Sequence, residues 1–564
     1  MYSYDARNRI MKRIPLGIDS YEAVCKNCYY VDKTAVISSL MRLPEGTSVL
    51  LTRPRRFGKS LMLSMLQSFF EASEKDKTSL FEDKKIFQNK ALMEAHFQRY
   101  PVLHLNLKNA IASNYEGMIV KIKEAISSEY ERHSSLLESR KLSAKDKVYF
   151  RSIMNEEAND LDYTSSLLKL TSYMEKTSLK KAVVLIDEYD APAHYAYQNG
   201  FYEPAILFLK QLFSSVLKSN DSLHLALLTG VLQIAKESLF SGLNNLITNS
   251  VLSVNMDEGF GFTEEETKEL LSYYGCSEEL DKVREWYGNY HFGNAVVYNP
   301  LSVLSFLQNG KSYATYWNNT ADNSVLGGII EGMSESDSLL PLISKQAITS
   351  PVDIALSYKD LSSTSENILS FLLASGYLTV REKLSDFFYS LSFPNKEIES
   401  VFQREIALRY IPKNDFPALL SMKAAFKKGD VETLKRDLEK YLLSSFSCFE
   451  IGQEKNYQVM LSTALSLIFE NCIVKNEANA GTGRADILVY SLKEGKPAFI
   501  IETKALRSNA SQSRIKNSAI KAIEQIKEKD YLDEIKPHSP SFVMLYGVAF
   551  YKKRVHIEQE QVAY

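Results

Sequence analysis

The chain lacks the features of a secreted or membrane-spanning protein. Its 564 residues include only five cysteines, an odd and scattered set, which indicates a reducing compartment rather than a disulfide framework. No window approaches about 18 uncharged apolar residues, so we expect no transmembrane span. The first residues, MYSYDARNRIMKRIPLGI, contain no apolar core and do not predict a signal peptide. We therefore expect a cytoplasmic location and no membrane partner.

Strong compositional bias is also missing. Lys and Arg total 67 against 69 Asp and Glu, for a formal net charge of −2, so any nucleic-acid surface must be local. A lone CxxC at Cys25 and Cys28 has no second ligand pair, which disfavours zinc or redox chemistry. No internal repeat or low-complexity segment is present. The length exceeds what one core can support, which predicts about three or four domains.

Short apolar runs dominate the organisation of the first part of the chain. They are SVLLT (48–52), VLHLNL (102–107), AVVLI (182–186) and LHLALLT (223–229). Long amphipathic stretches separate the runs, and this alternation predicts a parallel sheet covered on both faces by helices. We assign this α/β domain to residues 1–260.

Two further domains are predicted after it. Residues 261–450 are mainly helical, with a helix start at Thr263. Within them, ILSFLLASGYLTVREKLSDFFYSLSFPN gives a helix and two alternating strands, as in a winged helix. Residues 451–564 form a compact α/β unit with a helix, the strands ADILVYS and AFIIETKAL, another helix and a final strand near 542–551.

A candidate nucleotide site lies at residues 53–60, RPRRFGKS, between a predicted strand and a predicted helix. A P-loop needs amides directed at phosphate, a Lys for the β/γ charge and a hydroxyl for Mg²⁺. Arg53 stands where the first Gly is usual, so the pattern alone is degenerate. The predicted nucleotide-binding residues of the loop are Arg55, Arg56, Phe57, Gly58, Lys59 and Ser60.

Acids at the end of an apolar strand strengthen that prediction. AVVLIDEYD places Asp187 and Glu188 where ligands of open α/β sheets gather. Asp187, with Ser60, would hold Mg²⁺, and Glu188 would orient or deprotonate the attacking water. Thr229, at the end of the next strand, would contact the γ-phosphate. The alternative is that DEYD only solvates a strand end.

A second acidic constellation lies near the carboxyl terminus. In RADILVYSLKEGKPAFIIETK, alternation places Glu502 and Lys504 on one face of a strand, near Asp486 on the preceding strand. Asp486 and Glu502 would hold Mg²⁺ at a scissile phosphate, and Lys504 would stabilise hydroxide or developing charge. A solvated hairpin is the alternative. Residues 504–529 carry seven Lys or Arg against two Glu, which suits a phosphate backbone.

Several motifs together resemble a known family, the bacterial AAA-ATPase-like proteins with a C-terminal PD-(D/E)XK nuclease superfamily domain. The resemblance begins with GIDSYEAV, YYVDKTAVI and LLTRPRRFGKSLMLSMLQSFFE and continues through VVLIDEYDAP, LLTGV and FGFTEEET. It ends with GRADILVY, FIIETKAL, AIEQIKEKDY and LYGVAFYKK. These motifs follow the family's order over nearly the whole chain.

The resemblance implies an α/β fold in three parts: an ASCE-type P-loop ATPase, a helical and winged-helix region and a restriction-endonuclease-like domain. It makes TRPRRFGKS itself the Walker A form. It also implies ATP and Mg²⁺ as cofactors and nucleic acid as partner, with DNA favoured over RNA. Glu477 becomes the expected helix acid of the nuclease site, and Gln525 and Tyr531 match a QxxKxY-like helix.

One departure leaves two hypotheses open. The family usually has an Arg after TGV, whereas this chain has Gln233; Lys236 is a nearby cation, but nothing in the sequence shows that it replaces the Arg. The first hypothesis is an ATPase whose nucleotide state regulates a Mg²⁺-dependent nuclease. The second is a nucleotide-dependent interaction switch whose nuclease-like domain binds nucleic acid or protein without cutting. Because AAA-type sites often take an Arg from a neighbouring subunit, the resemblance also allows a homo-oligomer.

Overall fold

The structure, a computed structural model, describes residues 11–562 apart from 234–239, 241–242, 318–340, 343–345, 357, 360–363, 411–415, 446–453, 470–471, 481–482, 492, 507–509, 530 and 532–534. It divides the chain into two compact units. The first unit comprises Met1–Tyr316, Ser350–Tyr389 and Pro394–Lys396, and the second comprises the remaining residues. The three-domain division of the sequence stays a prediction.

A five-stranded parallel sheet forms the centre of the first unit. Its strands are β1 (Thr47–Thr52), β2 (Val102–Asn106), β3 (Ala182–Asp187), β4 (Leu223–Gly230) and β5 (Leu246–Asn249). The order across the sheet is β2-β3-β4-β1-β5, and each neighbouring pair is parallel. The four predicted strands are thus confirmed, and β4 separates β1 from β3. The parallel sheet confirms the predicted P-loop α/β fold class.

Helices cover this sheet because the segments between its strands are amphipathic. They are α1 (Tyr21–Asn27), α2 (Ala35–Leu40), α3 (Lys59–Phe70), α4 (Lys90–His96), α5 (Tyr115–Arg132), α6 (Ala144–Met154), α7 (Asp160–Ser178), α8 (Ala191–Gln198) and α9 (Tyr202–Leu217). Asn side chains cap the first turns of α5 and α7, which fixes where these long helices begin.

The first unit continues with α10 (Glu264–Tyr273), α11 (Leu280–Tyr287), the strands β6 (Tyr290–Phe292) and β7 (Ala295–Val297), and α12 (Pro300–Gln308). The predicted helix start at Thr263 is confirmed, since Thr263 and Glu266 form a capping box. The short antiparallel pair β6–β7 lies directly behind the loop that follows β1, because Phe57 contacts rings on β6.

The predicted winged-helix segment contains a helix followed by a hairpin. A further strand joins the hairpin and gives the sheet order β8-β10-β9. The elements are β8 (Ile348–Pro351), α13 (Ser365–Ser375), β9 (Thr379–Lys383) and β10 (Phe388–Ser392).

The second unit combines helices with a mixed five-stranded sheet. Its elements are α14 (Lys396–Tyr410), α15 (Phe416–Lys428), α16 (Val431–Ser445), α17 (Glu454–Ile468), β11 (Ile473–Ala480), β12 (Gly483–Tyr490), β13 (Ala498–Ala505), α18 (Gln512–Glu528), β14 (Val543–Tyr551) and β15 (Arg554–Val562). The strands follow chain order, and only β13–β14 is a parallel pair. The strand predicted near 542–551 is confirmed as β14, but it is not the final strand, because β15 follows it.

Strand β13 has a buried core on each face. Phe499 and Ile501 pack with residues of α15, α16 and α17, whereas Ala498 and Ile500 pack with α18. Helix α18 approaches β14 so closely that a Cβ on Gly547 would lie 2.1 Å from the Ala519 carbonyl oxygen. Burial on both faces explains the uninterrupted apolar run of this strand. Its polar residues come only at its carboxyl end.

Two properties of the described residues concern membrane insertion and cysteine chemistry. Of the helices assigned there, none combines the length and apolar character that a membrane crossing requires. Cys25, Cys28, Cys276 and Cys472 are free thiols. The remaining short elements are 3-10 turns at Thr78–Leu80, Lys85–Gln88, Ser134–Glu138, Asp257–Gly259, Ser277–Glu279 and Lys536–His538.

Candidate functional site

The RPRRFGKS loop joins β1 directly to α3, as the sequence predicts. Gly58 has φ +85°, a left-handed conformation that a side chain would strain, and α3 begins at the next residue. Because Gly58 offers no capping side chain, the first-turn amides of α3 can serve an anion. Arg53 N–H donates to the carbonyl of Gly230 at 3.1 Å, so the loop starts beside the end of β4.

Lys59 folds back over this loop. Its side chain is only 4% exposed, and Nζ donates to the carbonyl oxygens of Arg53 (3.1 Å) and Pro54 (3.2 Å). Ser60 is half-buried in the same first turn. Because only two backbone carbonyl oxygens hold the Lys59 ammonium, it can exchange them for a phosphate oxygen without a change in the backbone.

Arg53 occupies the position of the usual glycine and anchors the loop. Its guanidinium donates from Nη1 to the Asn249 carbonyl (3.0 Å) and from Nη2 to Asn249 Oδ1 (2.6 Å). It also lies 5.2 Å from the ring centre of Phe260 and 5.3 Å from that of Phe292, within cation–π range. Burial lowers the pKa of Arg53 to about 9. The sequence did not predict this anchor.

The other loop residues have different environments. Phe57 is buried, and its ring centre lies 5.0 Å from those of Tyr290 and Phe292. Arg55 is half-buried and Arg56 is exposed, with φ +69°. Phe57 therefore packs in the core behind the loop, and its predicted contact with nucleotide stays a prediction, as do those of the two arginines.

Asp187 is held at the end of β3 by both neighbouring strands. Thr229 Oγ on β4 donates to Asp187 Oδ1 at 2.6 Å, and Asn106 Nδ2 on β2 donates to Oδ2 at 3.2 Å. Asp187 is 1% exposed. The structure thus brings together the predicted Asp187 and Thr229. Asn106 was missed, although a polar residue ending the apolar run VLHLN was the available signal.

The residues after Asp187 shape the loop that follows β4. Glu188 has φ +53° and is half-buried. The Asp190 carboxylate accepts the N–H groups of Val231 and Leu232, both at 2.9 Å. Burial, and then the nearby Glu188 charge, raise the pKa of Asp190 to about 6. Asp190 therefore anchors the segment that leads to Gln233, while Lys236 lies outside the described residues.

In the second unit, the Asp486 side chain accepts a backbone N–H of β13 that no longer pairs with the backbone of β12. The β12–β13 ladder runs from Val489↔Phe499 to Ile487↔Ile501. One residue further, Asp486 Oδ2 accepts both the backbone N–H and the hydroxyl of Thr503, each at 2.7 Å. This carboxylate is thus fixed at the point where the strand pairing ends. Gln458 of α17 also contacts the Thr503 hydroxyl (3.3 Å), and neither residue was predicted.

Glu502 is more buried than Asp486 and Lys504, the other two charged residues predicted for the candidate nuclease site. It is 1% exposed, and its Oε1 accepts Lys504 Nζ at 3.0 Å and an N–H of Gln525. Gln525 also contacts Tyr531 OH at 3.3 Å. Burial, and then the Asp486 charge, raise the pKa of Glu502 to about 7. The predicted shared face of Glu502 and Lys504 is confirmed, and Gln525 and Tyr531 lie with them.

Lys504 contacts the Glu502 carboxylate and is influenced by two further acids. Burial acts to lower its pKa, but the charges of Glu502, Asp486 and Glu454 outweigh burial and raise it. Glu454 begins α17 and accepts the Ala505 N–H at 3.2 Å. The expectation that Glu477 is the helix acid is wrong, because Glu477 lies in strand β11. Glu454 is the acid that the helix brings to this site.

The carboxylates of this site suit a hard divalent cation. Asp486 and Glu502 are close enough for one charge to raise the pKa of the other, and a bound cation would remove that repulsion. No group of three or more His, Cys, Asp or Glu side chains arranged for a metal occurs among the described residues. Mg²⁺ fits such a sparse set, because it uses one or two carboxylates and completes its shell with water and substrate oxygen.

The nucleotide site offers Mg²⁺ a different donor set. Each Asp187 oxygen accepts one hydrogen bond and retains further lone-pair capacity. Together with the Ser60 hydroxyl, this oriented carboxylate fits a cation held partly through water.

Comparisons with known proteins match both units. The AAA-ATPase-like family, described as a predicted AAA-ATPase, matches residues 15–240. The PD-(D/E)XK nuclease superfamily matches residues 452–560. The chain is also similar to an uncharacterized protein in the vnfD 5′ region of Azotobacter chroococcum mcd 1. The two are 26% identical over 447 residues, which cover 74% of this chain and 77% of that relative.

The buried Arg53 leads to a stability prediction. We expect Arg53→Lys to lower the free energy of unfolding by about 1.5–3 kcal/mol, because one ammonium cannot make the forked contacts to Asn249. Chemical denaturation monitored by tryptophan fluorescence measures the change. Arg56→Lys, at an exposed position of the same loop, is the control and should stay within about 0.5 kcal/mol. Equal stability of the two variants would contradict the anchoring role.

The raised pKa of Glu502 leads to a pH prediction. The fold binds this proton more tightly than the unfolded chain does, so the associated stability is present below the ordinary pKa of 4.5 and is lost as pH rises toward about 7. In EDTA, we expect Glu502→Gln to stabilise the protein at pH 8 by on the order of 1–3 kcal/mol, with little effect at pH 4.5.

Thermal unfolding at both pH values measures this difference. Glu494→Gln, in the exposed turn between β12 and β13, is the matched control and should show no pH-dependent effect. A Glu502→Gln effect of the same size at both pH values would contradict the assigned titration.

Proposed function

We propose that this chain, which joins an AAA-ATPase-like domain to a PD-(D/E)XK nuclease superfamily domain, is an ATP-regulated, Mg²⁺-dependent nuclease. The observation that carries the proposal is the cluster of Asp486, Glu502 and Lys504 at the end of β13, where two carboxylates and an ammonium converge. We further propose DNA rather than RNA as substrate. A homo-oligomeric assembly and a cytoplasmic location stay predictions.

In the proposed nuclease reaction, Mg²⁺ would neutralise charge on the scissile phosphate and lower the pKa of a bound water. Asp486, oriented by Thr503, and Glu502, oriented by Gln525, would be its protein ligands. Lys504 would stabilise the attacking hydroxide or the charge that develops on phosphorus. Glu454 would keep Lys504 charged and directed toward the site, since its negative charge raises the pKa of that ammonium.

In the proposed nucleotide site, Lys59 would exchange its contacts with Arg53 and Pro54 for the β- and γ-phosphates. Ser60 and Asp187 would hold Mg²⁺, which would supply positive charge to offset that of the phosphates. Glu188 would orient the attacking water. Thr229 lies on β4 and donates to Asp187, so a γ-phosphate bound at this site would affect the end of β4 through this hydrogen bond.

Regulation is the part of the proposal that links the two reactions. Asp190 ties the segment after β4 to the acidic end of β3, so a change in nucleotide at Asp187 would reach Gln233. Gln233 itself favours the second candidate function, a nucleotide-dependent switch that does not cut. A glutamine has no positive charge with which to stabilise a leaving phosphate, so binding could outlast hydrolysis.

The nucleotide site can be tested without measuring catalysis. We expect Mg²⁺–ATP to raise the melting temperature of the wild-type chain, because ligand at 100 times its Kd adds about 2.7 kcal/mol to the free energy of unfolding. Lys59→Ala should remove this effect because the phosphate loses its ammonium. Lys90→Ala is a matched control, since Lys90 is also the first residue of a helix. Stabilisation that survives Lys59→Ala would contradict the assigned site.

The nuclease site can be tested by cleavage of plasmid and oligonucleotide DNA and RNA with Mg²⁺. Asp486→Asn and Lys504→Ala should each reduce the cleavage rate by at least about 100-fold, because each removes a charge placed at the reacting phosphate. Lys496→Ala, in the exposed turn at the other end of β13, should leave the rate unchanged.

The same assay separates the two candidate functions. Cleavage that survives both site substitutions would contradict the nuclease assignment. Nucleic-acid binding without cleavage would favour the switch, and an effect of Lys59→Ala on cleavage would support regulation by nucleotide.

A further inference from the structure

An open cavity lies beside the last hairpin of the second unit. Its volume is about 770 Å³, and the described residues that line it are Ala510, Ser511, Tyr551, Lys552, Lys553 and Arg554. Three consecutive lining residues are cations, and none of the described residues that line it is acidic. The composition of this cavity therefore suits an anion rather than an apolar or cationic ligand.

The cations come from a turn that the backbone favours little. Tyr551 pairs with Arg554, so Lys552 and Lys553 form a two-residue connection between β14 and β15. Lys552 has φ +53°, where such turns usually place Asn, Asp or Gly. Lys552 and Arg554 are exposed. The turn thus presents positive charge at a position where the local backbone would favour a smaller residue.

The amino end of α18 forms the other wall of the cavity. Ser511 is the N-cap of this 17-residue helix, and its hydroxyl accepts the Arg514 N–H. The first-turn amides and the helix dipole add to the positive potential that the turn creates.

The cavity lies at the same end of the sheet as the candidate nuclease site, where β13 and β14 end. Lys504 on β13 is opposite Ala549 on the parallel strand β14, and Tyr551 follows two residues later. Two residues of strand advance about 7 Å. Phosphates of one strand in a duplex advance about 3.4 Å each along the axis. The cavity is therefore about two nucleotides beyond Lys504, measured along β14.

Helix α17 connects the turn to the nuclease site. Tyr457 OH donates to the Lys552 carbonyl at 2.9 Å, and its ring stacks on Phe550 at 4.4 Å. One turn earlier in the same helix, Glu454 accepts the Ala505 N–H. The turn and the carboxyl end of β13 are thus attached to one rigid element, which fixes the cavity relative to Lys504.

We propose that this cavity is a phosphate-binding subsite that holds the nucleic-acid backbone next to the cleavage site. Lys552 and Arg554 contact non-scissile phosphates, and the α18 amides contribute from the opposite wall. The subsite carries no sequence preference, because phosphate contacts position a strand without reading its bases. This inference rests on the proposed function, in that nucleic acid is the ligand of the second unit.

The test is fluorescence anisotropy of the full chain with a labelled DNA oligonucleotide, in EDTA and over a range of salt concentrations. Lys552→Ala with Arg554→Ala should weaken binding about 10–100-fold at 0.1 M salt and reduce the salt slope by about 1–2, as expected for two lost phosphate contacts. Lys493→Ala with Lys496→Ala removes the same charge from the exposed turn at the opposite end of β13 and should change neither quantity.

A conservative pair, Lys552→Arg with Arg554→Lys, guards against misfolding. It keeps both charges and should retain wild-type affinity, while melting temperatures confirm that all variants fold. Equal affinity of the cavity pair and the control pair would overturn the subsite.

Cleavage assays on the same proteins separate this inference from the proposed function. If the wild-type chain cleaves nucleic acid and the Lys552→Ala, Arg554→Ala variant cleaves it equally well, the subsite alone is overturned. DNA binding that depends on the cavity, without Mg²⁺-dependent cleavage, overturns the nuclease and supports the subsite. A wild-type chain that neither binds nor cleaves DNA and RNA overturns both.

Discussion

Hydrogen bonds from a neighbouring strand that hold a carboxylate in place are the interaction on which both candidate sites depend. Asp187 is held by side chains from the two strands beside it, and Asp486 is held by the backbone and hydroxyl of Thr503. Asp187 is the last residue of β3, and Asp486 lies one residue beyond the paired segment of β12 and β13. The hydrogen bonds offset part of the cost of burying a charge and fix its direction, which is what a metal ligand requires.

The two sites differ in how their charge is balanced. Asp190 and Glu502 both have a raised pKa, because burial and a neighbouring carboxylate disfavour ionisation. Asp190 spends its hydrogen-bonding capacity on backbone amides and stays structural. Glu502 contacts Lys504 and Gln525 instead. Since the pKa of Glu502 is raised even with Lys504 in contact, a further cation at the second site would favour the ionised form of Glu502.

Much of this fold was predictable because burial on both faces leaves a clear pattern. The apolar runs of β1 to β4, the helix after Gly58 and the hairpin that carries Asp486 and Glu502 lie where the sequence predicts them. Strands β5, β11 and β15 were missed, because short or half-exposed strands lack such runs. The resemblance to the family made Glu477 the expected helix acid, but its segment pairs with β12 instead.

The amino-acid sequence alone indicates which acids lie in apolar strands, where a glycine, a lysine and a serine lead into a helix, and which family the motifs resemble. The hydrogen-bond and charge partners of the buried residues follow only from the fold. Arg53 donates to Asn249, Asp187 accepts from Asn106, and the charge of Glu454 acts on Lys504. These pairs are far apart in the chain, so no local pattern predicts them. Strand and helix periodicity depends on neighbours in the chain, whereas a buried charge is satisfied by whichever group the fold brings within hydrogen-bonding distance.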